Sequence, residues 1–333
     1  MNDKSLAVSF DSLARHARRN WGWWSCLALV ACMVAGAAWF GSKDIIFPEI
    51  AALAFGAWML EERPWPGPAW TLWFSPTLGA VTGVLILRYV PVPLSLSVGA
   101  AFVLVLLELE WSRSSITPAF SAAVLPIITG IRSWRYPASV CLMAACVAGI
   151  AVARERKGSR PAGRPRVARR PFSHQAKLAG CVLGIALLAL ATPWTFIVAP
   201  PLLVAFVELA HPDCRWRKRL GRLLCLLTAS AAAGALAVGV IAYQWSGPLW
   251  LAAALAAGAC LILVHVFDVS APPAFALALL PTILPRAMLP TYPLQVLLGC
   301  VLFMLAVRLW FPAATGVEHD CPENRTRDEK IKE

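Results

Sequence analysis

The chain has 333 residues, of which 59% are apolar and 14% charged, with a formal net charge of +12. Ordinary soluble domains carry about 45–50% apolar and about 25% charged residues. The balance excludes a disordered chain, a collagen, a coiled coil and a small disulfide scaffold, and it points to a polytopic membrane protein.

The polar N-terminal tail, residues 1–20, ends in Arg15, His16, Arg18 and Arg19. An uncharged run follows at 21–40. It is long enough to cross a hydrocarbon core of about 30 Å at about 1.5 Å per residue. A secretory signal has an apolar stretch of only about 7–15 residues, so the run predicts a retained first helix. Further apolar runs at 45–60, 69–87, 92–107, 116–131 and 137–153 complete a first membrane unit, 21–153. Residues 154–177 hold nine basic residues, one acid (Glu155) and three prolines. That composition cannot bury a core and reads as a solvated linker. A second unit, 178–311, has runs at 178–194, 196–210, 223–245, 248–267, 269–285 and 288–311. The tail 312–333 is polar and reads as disordered.

The two units are similar in sequence. Residues 118–128 read PAFSAAVLPII and residues 273–283 read PAFALALLPTI, identical at seven of eleven positions. Tyr136-Pro137 matches Tyr292-Pro293, and Ala54-Phe55 with Trp65 matches Ala205-Phe206 with Trp216. The expected fold is therefore all-α, with about twelve transmembrane segments as two six-segment repeats, some short or broken. An even number of segments per repeat gives both copies the same orientation, around an axis along the membrane normal.

Charge sets the predicted topology. With twelve crossings and the N-terminus inside, 25 of the 30 Lys and Arg residues fall on the inner side. Only Lys43, Arg88, Arg132, Arg135 and Arg286 fall outside. That asymmetry follows the positive-inside rule and places both termini and the linker in the cytoplasm, in a cytoplasmic (inner) membrane. Making the second and fifth segments re-entrant would move the Arg215–Arg222 cluster outside, against the rule. The basic loops are expected to meet anionic lipid headgroups. No nucleic-acid partner is expected, because the basic residues are interrupted by apolar runs rather than gathered on a reading face. Oligomeric state is not legible.

Eleven of the 15 tryptophans fall near segment ends, which reads as an aromatic belt. Gly79 and Gly83 form a GxxxG that reads as helix packing. The ten cysteines are scattered, with no CxxC and no Cys/His cluster at metal spacing. They read as small packing residues, and neither a metal nor a cofactor is expected. Enzyme signatures such as HExxH, GxSxG and the Walker loop are missing, so no catalytic residue is named.

The second and fifth segments of each unit are short and start with proline: Pro48, Pro118, Pro200-Pro201 and Pro272-Pro273. Short, proline-interrupted segments at matching places in two repeats point to a transporter's binding site. Proline suits the first helical turn, and a helix start inside the protein offers free N–H groups and a positive dipole end to an anion. The alternative is that these prolines only kink crossing helices. The expected substrate cavity is lined by Pro48, Glu49, Pro118, Pro200, Pro201, Pro272 and Pro273. Phe120 and Phe275 would form its paired apolar walls, and Ser115, Thr117 and Ser270 its hydroxyl donors. Glu49, Glu110, His265 and Asp268 are candidates for proton coupling, against the reading of Glu49 as an interfacial charge and of His265 and Asp268 as a polar rim. Glu208 lies two turns into the eighth segment, near its inner end.

At Ser270-Ala271-Pro272-Pro273-Ala274-Phe275-Ala276 and at Phe47-Pro48-Glu49-Ile50-Ala51-Ala52-Leu53 the chain resembles the HPP family of integral membrane proteins. The motif's His is Ala271 in one copy and Ile116 in the other. The family unit is ordinarily one copy of about four helices, whereas here it is doubled. The resemblance implies transport of a small anion, since plant members are associated with nitrite transport in chloroplasts. Most bacterial members have no assigned role. The sequence thus leads to a secondary transporter or channel for a small, nitrite-like anion with its site between the repeats. The alternative is a non-transporting scaffold or subunit that docks a partner through basic cytoplasmic loops.

Overall fold

A computed structural model describes residues 21–60, 63–156 and 171–312. The N-terminal tail 1–20, the centre of the basic linker and the C-terminal tail from 313 lie outside the described residues. Every regular element among the described residues is helical. In chain order the α-helices are α1 (Trp21–Trp39), α2 (Glu49–Ala54), α3 (Thr71–Tyr89), α4 (Leu94–Ser112), α5 (Pro118–Thr129) and α6 (Arg135–Arg156). They continue as α7 (Phe172–Leu190), α8 (Pro200–Leu209), α9 (Leu220–Ala237), α10 (Leu249–Phe267), α11 (Pro273–Leu279) and α12 (Tyr292–Trp310). Wider π turns extend α2 over Phe55–Met59 and α9 over Val238–Gln244, and a 3-10 turn extends α11 over Leu280–Thr282. Eight of these helices are long and apolar enough to cross a membrane, and the chain is a polytopic helical membrane protein.

The described helices reach into the basic linker. Arg154 and Arg156 form the last turn of α6, and His174 and Lys177 lie in the first turns of α7. Cations are favoured at a helix C-terminus, where unpaired carbonyls gather. This accounts for α6 but not for α7.

Local chemistry fixes the ends of the short elements. Pro118 and Pro273 occupy first-turn positions, where the missing N–H has no intrahelical partner to lose. Gly130, at φ 76°, ends α5 in the left-handed conformation. Arg113 (φ 50°) and Asp268 (φ 53°) end α4 and α10 in the same way. The amides of Ser114 and Val269 then bond back to the carbonyls of Leu109 (2.9 Å) and Val264 (3.3 Å), satisfying groups a helix end leaves open.

Contacts between elements give the direction of each helix. The Ile45 carbonyl accepts from Ser139 Oγ at 2.6 Å, near the start of α6. The Trp58 carbonyl accepts from Arg154 Nη1 at 2.7 Å, at the end of α6. α2 and its π turn therefore run beside α6 in the same direction. α5 starts where α2 ends, because Ser115 Oγ donates to the Pro66 carbonyl at 2.6 Å. In the second unit the Phe196 amide donates to Gln295 Oε1 at 2.9 Å, near the start of α12. Arg217 joins the end of α8 to the end of α12 through the carbonyls of Leu209 (2.7 Å) and Phe311 (2.8 Å). The bundle thus has a basic end, holding Arg63, Arg154 and Arg215–Arg222, and a far end holding Lys43, Arg132 and Arg286.

Long helices form the shell and short ones the centre. Pro118–Ile127 and Pro273–Thr282 are buried throughout, whereas Leu142, Leu188, Leu236 and Leu309 are exposed on the outer helices. A short helix in lipid would leave backbone groups unsatisfied, so it belongs inside protein. Packing crosses between the units in pairs: α4 lies on α7 and α10 on α1, while α5 lies on α8 and α11 on α2. Gly79 and Gly83 bring α3 against the backbone of α5, so the GxxxG packs helices.

The internal prolines create a shared problem. Pro126 and Pro281 have no N–H, so the carbonyls four residues earlier, Ala122 and Leu277, lose their helical donors. Tyr136 Oη donates to the Ala122 carbonyl at 2.9 Å, and Tyr292 Oη to the Leu277 carbonyl at 2.8 Å. Both tyrosines are fully buried. Removing either hydroxyl, as Tyr136→Phe or Tyr292→Phe, should destabilise the bundle by about 1–3 kcal/mol, because a buried carbonyl is left unpaired. Pro126→Ala should restore much of the loss in the Tyr136→Phe background by returning the N–H. Thermal unfolding of wild type, Tyr136→Phe, Pro126→Ala and the double variant in detergent checks this. Additive losses would sink the pairing.

Candidate functional site

Two carboxylates, one fully buried and one half-buried, lie where the units meet. Glu49 sits in the first turn of α2, after Pro48, at 1% exposure. Ser121 Oγ of α5 donates to its Oε1. Its other oxygen, Oε2, is buried with no hydrogen-bond partner among the described residues. α2 faces the second unit here, since the Phe55 ring stacks on Phe275 of α11 at 4.5 Å. A carboxylate only accepts hydrogen bonds, while a protonated carboxyl also donates one. Oε2 is therefore an open position in this core, as are Glu108 Oε2 on α4 and Thr228 Oγ1 on α9.

Glu208, half-buried on α8, is the second carboxylate. Its Oε1 accepts from Thr117 Oγ1 at 2.6 Å and from Trp65 Nε1 at 3.0 Å. Trp65 Nε1 also lies 2.8 Å from Thr117 Oγ1. Trp65 and Thr117 belong to the first unit and Glu208 to the second, so the cluster joins the units near the basic end. Cys214, in the loop after α8, lies beside it; burial pushes that thiol up to about 11. Thr117 and Ser121 are four residues apart, hence on one face of α5. One helix face thus offers a hydroxyl to each carboxylate.

The structure buries Pro48, Pro118, Pro200, Pro201, Pro272 and Pro273, and the first turns of α2 and α5 meet where Ser121 donates to Glu49. Phe120 stacks on Phe102 at 4.5 Å and Phe275 on Phe55 at 4.5 Å. Of the three hydroxyls, Thr117 reaches a carboxylate, Ser115 is held by the Pro66 carbonyl, and Ser270 is exposed. The other charged candidates lie at the periphery. Glu110 accepts from Gln175 Nε2 of α7 at 3.3 Å. His265 is exposed, and Asp268 caps α10 while pairing with Arg219 and Arg222. That arrangement is a polar rim.

Ser121, Trp65, Tyr136 and Tyr292 went unread as site residues in the sequence. Glu208 was visible as an acid in an apolar run, but its partners are far away in the chain. No known family, curated protein or solved structure matches this chain.

Proposed function

We propose that this protein is a secondary carrier with twelve crossings in two parallel six-helix repeats. It moves a small weak-acid anion, nitrite-like, together with a proton along the boundary between the repeats. The observation that carries this reading is Glu49 Oε2, an unpartnered carboxylate oxygen fully buried where α2 meets the second unit. Intramembrane ionisable groups are costly and mark ion pathways by default. Ionised, Glu49 repels an anion; protonated, it donates a hydrogen bond to one, so proton and anion travel together. Reciprocal packing of α4 on α7 and α10 on α1, with the matched tyrosine-to-carbonyl bonds, supports the repeat. The resemblance of the 270–276 stretch to the HPP family supports the solute class.

Proteoliposomes tested in parallel with nitrite, nitrate, formate and chloride under an imposed pH gradient decide the matter. Accumulation of nitrite or formate, the two conjugate bases of weak acids in the set, above the level of empty vesicles is expected. No accumulation of any of the four would overturn the transport reading in favour of a non-transporting scaffold.

The charge asymmetry also supports cytoplasmic termini in an inner membrane. Reporter fusions at residue 165 and at the C-terminus should both read inside, and single cysteines at Lys43 and Arg286 should react with an impermeant thiol reagent from outside. An outside signal at residue 165 would overturn this orientation.

A further inference from the structure

We infer that Glu208 is the station through which protons reach Glu49 from the basic end, with Thr117 and Ser121 as the hydroxyls between them. The inference rests on the proton-coupled reading of Glu49 and deepens it.

Three observations lead here. Glu208 lies at the basic end of α8 and is half-buried, so it is closer to water than Glu49, which is 1% exposed. Thr117 donates to Glu208 at 2.6 Å, and Ser121, one turn further along the same face of α5, donates to Glu49. Glu49 Oε2 is buried without a partner, so the inner end of the path has a place for a proton. The groups that face Glu49 from its neighbours are the phenols Tyr136 of α6 and Tyr292 of α12, with the Cys26 thiol of α1 against the α2 backbone. Both phenols already donate to carbonyls of α5 and α11, and they hold the wall rather than the path. Around Glu208 the facing groups are Trp65, Thr117 and Cys214, with Arg217 bound to the Leu209 and Phe311 carbonyls.

The transfer balances as Glu208-COOH plus Glu49-COO⁻ giving Glu208-COO⁻ plus Glu49-COOH. Glu208 first takes its proton from water at the basic end. The Thr117 oxygen accepts that proton and releases its own hydrogen to a water molecule in the gap of one helical turn. That water passes a hydrogen to the Ser121 oxygen, and the Ser121 hydrogen goes to Glu49. Each hydroxyl ends with the one hydrogen it began with. The hydroxyls must then turn back toward their carboxylates, which is the orientation the structure holds. Trp65 Nε1, donating to both Thr117 and Glu208, is a positioning group that keeps the outer half of the path aligned.

The test uses the full chain in lipid and two separate readouts. A pH jump from alkaline to acid, followed by infrared difference spectroscopy, shows the protonated-carboxyl band of Glu49, assigned by its absence in Glu49→Gln. Glu208→Gln and Thr117→Val should slow the appearance of that band about a hundredfold, the scale of a lost positioned proton donor. Thr117→Ser, which keeps the hydroxyl, should restore it. Nitrite counterflow at equal pH, which needs no net proton movement through Glu208, should persist in Glu208→Gln while pH-driven accumulation is lost. An unchanged band rate in folded Glu208→Gln would overturn the relay whether or not the protein transports. Failure of wild-type accumulation alone, with the band rates as expected, would instead strike the carrier reading.

Discussion

Gly83→Ala and Gly234→Ala should each lower stability by about 1–3 kcal/mol, the usual range for forcing one extra methyl into a packed interior. A Cβ built on Gly83 overlaps the Ala123 carbonyl oxygen of α5, and one built on Gly234 overlaps the Ala278 carbonyl oxygen of α11. The obstacle is helix backbone in both cases. It cannot turn aside as a side chain would, so α3 must back away from α5, and α9 from α11. Without hydrophobic drive between helices in lipid, close van der Waals contact is much of what holds them. Gly149→Ala and Gly258→Ala are the controls, since a Cβ there meets nothing within 4 Å. They should be neutral or gain about 0.5–1 kcal/mol from better helix propensity. Unfolding temperatures in one detergent settle the comparison. Equal values for Gly83→Ala and Gly149→Ala would show that the α3–α5 contact is looser than described.

Glu49→Gln should abolish pH-driven accumulation while leaving the bundle folded. Glutamine matches the shape and can still accept from Ser121 at its carbonyl oxygen, so the contact of α2 with α5 survives. What it cannot do is bind and release a proton. The expected result is accumulation reduced to that of empty vesicles, with an unfolding temperature close to wild type. Glu49→Asp should recover part of the activity, limited by a side chain one methylene shorter that no longer reaches Ser121. Full accumulation in Glu49→Gln would remove Glu49 from the coupling step. A large fall in unfolding temperature would instead make it a structural residue.

Much of the architecture was legible because it rests on local composition. Apolar runs of membrane length became helices, and the PAF…LP blocks became the two buried helices α5 and α11. The proline starts were legible as helix starts. Which side chains join those starts was not, because Glu49 and Ser121 lie 72 residues apart in the chain. Pro126 and Tyr136 were each conspicuous, yet a proline that strips a donor from Ala122 does not say which hydroxyl replaces it. The site was hidden for a similar reason. Trp65, Thr117 and Glu208 span both units, and only the crossing of α5 over α8 brings them together.

The exchange of contacts between the units also governs how the chain can be made. The faces of α1, α2, α4 and α5 that end up against α10, α11, α7 and α8 have no partner while only the first unit has been synthesised. During that interval Glu49 and Thr117 are bare of their final surroundings, and the translocon or a membrane chaperone must shelter them. Neither unit should accumulate when expressed alone. Two fragments divided within residues 157–170 should rescue each other when produced in one cell. Under the proposed repeat, a single unit placed beside a second copy of itself would meet the same surfaces in reciprocal positions. On that proposal, two genes for a self-associating unit could fuse with no interface to invent.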